Sequence, residues 1–136
     1  MKVNKIIETC IYTYDLEKMK KFYINYLGLD LVSEEEGRHV FLKVGKNMLL
    51  IFNPENTLRN LNNIFPIHGA ITPPSILHLA FEIKKEDYEN WKRLLKTNNI
   101  NIEKELEIRN SKSIYFHDPS GNIVELITEN FWPVEN

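Results

Sequence analysis

A strand and then a helix are predicted in residues 6–29, whose sequence is IIETCIYTYDLEKMKKFYINYLGL. Residues 6–13 are rich in β-branched and aromatic side chains, which favours a strand. Asp15 then occupies the place of a helix N-cap, and apolar residues recur after it at intervals of three and four, as in an amphipathic helix. Gly28 is placed to end that helix in the left-handed conformation. Three short strands are predicted to follow, at residues 29–33, 39–44 and 48–52.

The second half of the chain repeats this order of elements. A helix is predicted over residues 86–96, with Asn98 and Asn99 placed to end it. The turn DPSG at residues 118–121 has Pro and Gly at favoured positions. Strands are predicted at residues 76–83, 102–106, 112–117 and 122–128. The fold class that follows is α+β, with a βαβββ unit used twice.

Two such modules predict one domain with a concave interior. A βαβββ sheet has a helix on only one face, so a second copy can cover the other face and form a half-closed, barrel-like mixed sheet. Small ligands usually bind in concave sites between modules. We therefore predict a single domain over residues 1–136. Its parts are a first module at about 4–54, a linker at about 55–74, a second module at about 75–129 and a tail at 130–136.

The linker and the tail carry residues whose roles stay open. The linker is rich in Asn and Pro, and it is either a functional lid or a plain connection, of which the plain connection is favoured. Arg59 and His68 are then loop residues without a predicted chemical role. Phe131 and Trp132 in the tail are predicted to pack against the domain or against a partner subunit.

The composition argues against several classes of protein. The chain has 136 residues, a formal net charge of -2 and a pI near 6.1, so nucleic acid is not an expected partner. No apolar run approaches the roughly 20 residues of a membrane span, so no membrane partner is expected. Glu8 interrupts the only candidate for a signal peptide. The single cysteine, Cys10, permits no intrachain disulfide, which favours a cytoplasmic location.

Three charged or titratable residues interrupt strands that are otherwise apolar. Glu8 lies in the first predicted strand, His78 in the fifth and Glu125 in the eighth. Ionised carboxylates are rarely buried unless they are paired or bound to a metal. Glu8 and His78 hold matching places in the two modules, so pairing of the modules about a pseudo-twofold axis is expected to bring them together. Glu125 would then complete a cluster of three ligands.

Such a cluster has a chemical purpose. Two carboxylates and an imidazole suit a divalent metal such as Mn, Fe, Co, Ni or Zn. Three protein ligands leave positions open for water or substrate, as catalytic metal sites require. The alternative is an open sheet face on which glutamates meet solvent without a metal, as we expect for Glu82. His39 and His117 are interpreted as structural.

The chain resembles the vicinal oxygen chelate superfamily, which includes glyoxalase I, bleomycin-resistance proteins, extradiol dioxygenases and fosfomycin-thiol transferases. The resemblance is carried by YDLEK at 14–18, FY at 22–23, LGL at 27–29, HLAFEI at 78–83 and YFHDPSGNIVEL at 115–126. These motifs cover nearly the whole chain in the family's order. They are specific for the fold and poor indicators of the reaction.

The resemblance implies a metal site with Glu8, His78 and Glu125 as ligands. Metal-binding members usually have a His where this chain has Glu8. Glyoxalase I-like members add a fourth ligand where this chain has Leu50, which argues against a four-ligand isomerase site. By resemblance to glyoxalase I, Glu8 or Glu125 can leave the metal during turnover and act as a base. Lys112 lies in a run similar to one in the transferases, where cationic groups favour an anionic substrate; a solvated charge at a strand end is the favoured alternative.

The predicted function is that of a divalent-metal-dependent enzyme, of lyase, isomerase or transferase type, acting on a small oxygen-rich or electrophilic substrate. Fosfomycin-thiol transfer and extradiol dioxygenation are less favoured, because Glu8 replaces a His of their ligand set. The alternative is a metal-free protein of the bleomycin-resistance type, which sequesters a drug in a groove lined by Tyr12, Phe41, Phe52 and Phe81. Because the family commonly forms dimers, a homodimer is expected.

Overall fold

The computed structural model describes residues 1–2, 6–57 and 77–131. The chain divides into two compact units, Met1–Ser75 and Ile76–Asn136. The expectations for Arg59, His68 and Trp132 concern residues outside this part of the chain, as does any expectation for residues 58–76.

The first unit is built on a four-stranded mixed sheet. Its elements are β1 (Glu8–Tyr12), α1 (Leu16–Asn25), β2 (Asp30–Glu35), β3 (His39–Val44), β4 (Asn47–Phe52) and the short helix α2 (Pro54–Thr57). The strand order is β1-β4-β3-β2. β1 runs parallel to β4, whereas β3 is antiparallel to both β4 and β2.

The ends of α1 follow from the residues predicted to set them. The side chain of Asp15 accepts a hydrogen bond from the Lys18 amide at 3.0 Å, as an N-cap does. Gly28 has φ +72°, a conformation that glycine adopts at little cost, and its amide donates to the carbonyl of Ile24. α1 contacts β3 and β4 and buries Met19, Phe22 and Tyr23.

The second unit repeats this topology. Its elements are β5 (His78–Ile83), α3 (Tyr88–Thr97), β6 (Lys104–Ile108), β7 (Ser111–His117) and β8 (Ile123–Thr128). The strand order is β5-β8-β7-β6, with β5 parallel to β8 and the other pairs antiparallel. Two units with the same order and the same sheet connectivity confirm the prediction of an α+β fold with two βαβββ modules.

The predicted boundaries differ from the observed ones where sheet pairing decides them. β2 reaches Glu35 rather than residue 33, because Glu35 pairs with His39. β6 reaches Ile108, which pairs with Ser111. α3 begins at Tyr88 after one turn of 3-10 helix at Lys85–Asp87, two residues later than predicted. The predicted DPSG turn is confirmed, since the Gly121 amide donates to the Asp118 carbonyl at 3.0 Å.

The helices of the described residues are short. α1 and α3 have ten residues each, whereas a membrane span needs about 20 apolar residues. Within residues 1–2, 6–57 and 77–131, no helix meets the length and hydropathy of a membrane span.

Candidate metal centre

His78 and Glu125 are brought together by neighbouring strands of the second unit. In the parallel pairing of β5 with β8, Ala80 lies opposite Glu125 and His78 lies opposite Ile123. Because side chains alternate along a strand, His78, Ala80 and Glu125 share one face of the sheet. His78 Nε2 and Glu125 Oε2 are 2.9 Å apart. The structure therefore places two of the three predicted ligands side by side.

The carboxylate of Glu125 is buried and fully engaged. Glu125 is 6% exposed. The hydroxyls of Ser113 and Tyr115, both on β7, donate to Oε1 at 2.7 Å each. Burial of an ionised carboxylate is costly unless such hydrogen bonds replace those of water. These two hydroxyl donors are what allow a carboxylate to remain at this position in the sheet.

Tyr115 borders both members of the pair. Its ring centroid lies 6.2 Å from that of His78. The pKa of the Tyr115 hydroxyl is raised, first by burial and then by its hydrogen bond to the carboxylate of Glu125. The hydroxyl therefore keeps its proton at neutral pH and acts as a donor.

The turn between β7 and β8 holds the beginning of β5 in place. Asp118 Oδ1 accepts from the amides of Ser120 and Asn122 at 2.9 and 3.0 Å. Asn122 Nδ2 donates to Asp118 Oδ2, and Asn122 Oδ1 accepts from the Leu77 amide at 3.2 Å. Because Leu77 immediately precedes His78, the buried side chains of Asp118 and Asn122 fix the backbone from which the imidazole projects.

The paired groups fit a divalent cation as two of its ligands. A nitrogen and an oxygen that each lie about 2.1 Å from one ion are about 3 Å apart in octahedral coordination. Nε2 and Oε2 are 2.9 Å apart, where they form a hydrogen bond with each other. Half of the His78 side chain is exposed, which leaves the pair open to solvent. Among the described residues, no group of three His, Cys, Asp or Glu side chains that could hold a metal ion is present.

Glu8, the third predicted ligand, lies in the first unit. It is the first residue of β1, it is exposed, and it pairs across the sheet with Met48 of β4. Cys10 lies two residues further on the same face of β1. The pKa of the Cys10 thiol is raised, first by burial and then by the charge of Glu8. The role of Glu8 as a ligand stays a prediction.

The face of the second sheet opposite to Glu125 holds Lys112, for which a solvated charge was favoured over a role in binding, and Phe81, which was predicted to line a groove. Lys112 neighbours Ser113 on β7 and therefore points away from the carboxylate, and its Nζ lies 5.4 Å from the centre of the Tyr88 ring. Phe81 neighbours Ala80 on β5 and likewise lies on the side away from His78. Lys112 thus contacts α3. Phe81, which was predicted to line a binding groove, does not lie on the face of the sheet that carries Glu125.

A cluster of aromatic rings occupies one face of the first sheet. Tyr12 and His39 both pair with Phe52, from β1 and β3 respectively. The ring of Phe41 lies 5.4 Å from that of Phe52, and His39 stacks on Phe41 at 4.0 Å. We call Tyr12, His39, Phe41 and Phe52 the aromatic cluster. Leu50, at the position where the resemblance implied a fourth ligand in other members, is buried on the same face, since it pairs with both Cys10 and Phe41.

The remaining described histidines are engaged away from Glu125. His39 is 8% exposed, and its Nδ1 lies 2.6 Å from Arg38 Nη1. The pKa of His39 is lowered, mainly by burial and further by the charge of Arg38. His117 contacts the Gly121 carbonyl and the carboxylate of Glu103. Both arrangements agree with the structural interpretation of these residues.

Ser113 and Tyr115 were not predicted as site residues, although the sequence contains a signal for them. Alternate residues of β7 are polar (Ser111, Ser113, Tyr115 and His117), and they face the side of the sheet on which Glu125 lies. A polar stripe with period two beside a strand that contains a buried carboxylate indicates donors for that carboxylate. Of this run, only the cation Lys112 was weighed for a role in binding.

The protein therefore belongs to a class of small proteins in which a βαβββ module occurs twice. One of its modules holds a His and a Glu side by side, and these are side chains that can bind a divalent metal. Residues 5–126 match the family model of the Glyoxalase/Bleomycin resistance protein/Dioxygenase superfamily. The chain belongs to this family.

The chain is similar to curated and structurally solved members of the family. It is 33% identical over 131 residues to "Metallothiol transferase FosB" of Staphylococcus epidermidis, an alignment that covers 94% of this chain and 84% of that one. It is also 33% identical over 121 residues to the protein of the same name from Staphylococcus haemolyticus, with 85% and 79% covered. The crystal structure of a lactoylglutathione lyase from Agrobacterium tumefaciens superposes with a TM-score of 0.88 and 33% identity, covering 97% of this chain and 98% of that chain.

Proposed function

We propose that the protein is a divalent-metal-dependent enzyme, of transferase or lyase type, that acts on a thiol compound and a small electrophilic, oxygen-rich partner. The observation that carries this proposal is the buried carboxylate of Glu125, held by two hydroxyls beside the imidazole of His78. A packed sheet does not need a buried carboxylate for its stability. Retention of a carboxylate and an imidazole there favours a ligand role.

The thiol is suggested by the names of the similar proteins. Two relatives at 33% identity are called metallothiol transferases, and a structure at the same identity is called a lactoylglutathione lyase, a name that contains the thiol glutathione. Transfer of a thiol to an electrophile and cleavage of a thiol adduct are related chemistries. We therefore extend the predicted class of substrate to include a thiol compound as one partner.

The ligand set of the proposal is Glu8, His78 and Glu125. When bound, the metal supplies a Lewis acid that polarises an oxygen of the electrophile. In thiol addition to an epoxide, a carbon–sulfur bond forms, a carbon–oxygen bond breaks, and the oxygen takes up the proton that the thiol released. Glu125 is held by Ser113 and Tyr115, whereas Glu8 is exposed. Glu8 is therefore the better candidate for the base that receives the thiol proton.

The first experiment measures metal binding. Protein freed of metal by chelation is titrated with Mn²⁺ and with Zn²⁺ by calorimetry, and the variants Glu125→Gln and Glu8→Gln are compared with Glu82→Gln. Glu82 shares the face of His78 and is exposed, so its variant controls for loss of one charge. We expect about one ion per chain for the native protein and for Glu82→Gln, and weaker binding for the other two variants. Absence of binding by the native protein would overturn the proposal.

The Glu8→His variant tests the departure from the usual ligand set. If residue 8 is a ligand, His at this position keeps metal binding, because imidazole is also a good donor to these ions. Thiol consumption is then measured with a thiol, an epoxide and a 2-oxoaldehyde as separate electrophiles. Binding in Glu8→His together with loss in Glu8→Gln supports Glu8 as a ligand. Metal binding at the native level in both variants would remove Glu8 from the site.

The aromatic cluster favours a second candidate, a metal-free protein that sequesters a drug. Stacked and edge-to-face rings on one sheet face can bind a planar ligand, and Phe52 contacts three of the other rings of the cluster. Fluorescence titration of the chelated protein with aromatic antibiotics tests this function. Tight binding that Phe52→Ala removes and Glu125→Gln leaves unchanged would support sequestration over catalysis.

We also propose that the protein is a homodimer and that it acts in the cytoplasm. Leu31 and Val32 are exposed on β2, which is an edge strand of the first sheet, and exposed apolar side chains on an edge strand favour association. Light scattering after gel filtration should give about 32 kDa for a dimer of the 16.1 kDa chain. A mass near that of one chain would contradict the dimer.

A further inference from the structure

The two oxygens of the Glu125 carboxylate have different surroundings. Oε1 accepts hydrogen bonds from both Ser113 Oγ and Tyr115 Oη, at 2.7 Å each. Oε2 faces Nε2 of His78 at 2.9 Å. Oε1 thus receives two short hydroxyl bonds from β7, whereas Oε2 lies beside the other candidate donor to a metal.

We propose that Ser113 and Tyr115 are positioning residues that occupy Oε1 of Glu125, so that Oε2 alone is offered to a divalent cation beside His78. This inference rests on the proposed function, because it requires that the site binds a metal. It adds two residues that the predicted ligand set does not contain. It also states how the carboxylate binds, through one oxygen rather than two.

The physical basis lies in how a carboxylate shares its lone pairs. A carboxylate can bind a cation through one oxygen or through both. Two hydroxyl donors at 2.7 Å withdraw electron density from Oε1 and fill its preferred directions of approach. The same bonds hold the plane of the carboxylate and prevent its rotation. Loss of one donor should therefore free Oε1 to approach the cation.

The sheet geometry explains why these two residues can act together. Tyr115 lies directly opposite Glu125 in the antiparallel β7–β8 pairing, and Ser113 lies opposite Ile127, one diagonal step away on the same face. The Ser113 side chain is buried, so its hydroxyl reaches the carboxylate without competition from bulk water. Both donors are fixed by backbone pairing rather than by a mobile loop.

Cobalt is a suitable probe, because the absorption bands of Co²⁺ report the number and geometry of its ligands. Chelated native protein, Tyr115→Phe and Ser113→Ala are titrated with Co²⁺ and followed by visible absorption. We expect each variant to bind Co²⁺ about tenfold more weakly, as loss of a hydrogen bond to a metal ligand usually does. We also expect altered band positions and intensities, as a second carboxylate oxygen enters the coordination sphere.

Two further variants separate positioning from general damage to the fold. Tyr88→Phe removes another tyrosine hydroxyl that donates to a carboxylate, that of Glu105 at 3.0 Å, but on the helix side of the sheet, and it should leave the Co²⁺ spectrum unchanged. Ser113→Thr keeps a hydroxyl and should restore the native spectrum. Circular dichroism confirms that each variant is folded. If Tyr115→Phe does not fold, Ser113→Ala and Ser113→Thr decide the question alone.

The outcomes distinguish this inference from the proposed function. Failure of the native protein to bind Co²⁺ would overturn both. Native binding with unchanged affinity and spectrum in Tyr115→Phe and Ser113→Ala would overturn the positioning role and leave the metal site standing. The inference is supported if Tyr115→Phe and Ser113→Ala bind Co²⁺ more weakly and with an altered spectrum. Ser113→Thr and Tyr88→Phe should then both give the native spectrum.

Discussion

Tyr115 lies directly opposite Glu125 in the β7–β8 pairing, and its hydroxyl donates to Oε1 of that carboxylate at 2.7 Å. Ser113 donates to the same oxygen, and His78 contacts the other one. Among the described residues, no buried side-chain nitrogen or oxygen lacks a hydrogen-bond partner. A buried polar network stabilises a fold only while its members keep their partners, so removal of its central member has a measurable cost.

Glu125→Ala should lower the free energy of unfolding by about 2 kcal/mol, because it leaves the hydroxyls of the buried Ser113 and the half-buried Tyr115 without their acceptor. Urea denaturation of the chelated protein, followed by circular dichroism, measures this change. The matched control is Glu82→Ala on the same face, which is exposed and should change stability by less than about 0.5 kcal/mol. Equal losses in the two variants would show that the network contributes nothing specific.

Asn122→Ala should destabilise the second unit and loosen the beginning of β5. Asn122 is 1% exposed, and its amide side chain joins Asp118 to the backbone of Leu77. Loss of these bonds should cost about 2 to 3 kcal/mol. Hydrogen exchange should also speed up at the Leu77 amide, which loses its acceptor. The control is Asn90→Ala on the exposed surface of α3; faster exchange at Leu77 in that variant as well would contradict the local explanation.

The sequence was sufficient to predict the fold because its local signals agree with one another. Asp15 and Gly28 set the ends of α1 as predicted, and the two halves repeat one order of elements. Strand ends were predicted less well, because pairing with a neighbour decides them: β2 and β6 each continue two residues further than predicted, as far as their partners allow. The helix α2 was missed, since its four residues, PENT, lie in a segment whose composition suggested a linker.

Part of the geometry around the candidate site was predictable from the sequence, whereas the metal-binding role of its residues stays a prediction. A Glu within an apolar strand pointed to a buried carboxylate, and Glu125 is one. The same argument applied to Glu8, which is exposed, because an end residue of an edge strand can meet solvent whatever its neighbours are. For Lys112 a solvated charge was favoured over a substrate-binding cation, and the period of two along β7 directs it toward Tyr88 and directs Ser113 and Tyr115 toward Glu125. To predict which face of the sheet each residue occupies, the register of the paired strands must be known.

The stability of the first unit should depend on pH through His39. Arg38 Nη1 lies 2.6 Å from His39 Nδ1, so the guanidinium donates to a neutral ring, and burial together with the Arg38 charge lowers the pKa of His39 below 6.5, with Glu35 opposing more weakly. The unfolded chain then binds more protons than the folded chain between the two pKa values, so stability rises with pH in that window. The contribution of the neutral His39 ring to the free energy of unfolding is complete above pH 6.5. It is lost as the pH falls through the lowered pKa of His39 in the folded protein.

His39→Phe keeps a ring on Phe41 and removes the titration. Free energies of unfolding measured in urea between pH 5 and 8 should therefore show a smaller increase with pH in this variant than in the native protein. His117→Gln changes an exposed histidine. In this variant, the increase in the free energy of unfolding with pH that comes from His39 should remain as in the native protein. An unchanged slope in His39→Phe would show that other groups control the pH dependence.

The thiol of Cys10 offers a direct probe of Glu8, because it is the only cysteine of the chain. Burial and the negative charge of Glu8 raise its pKa above 9.0, so the thiolate is scarce at neutral pH. Glu8→Gln removes the charge and should increase the rate of alkylation by iodoacetamide at pH 8 about threefold, since the thiolate is the reacting form. Glu17→Gln, on α1, is the control for a change in net charge and should leave the rate unchanged. If burial alone sets the reactivity of Cys10, the rates of Glu8→Gln and the native protein will be equal, and the electrostatic contact between Glu8 and Cys10 will be disproved.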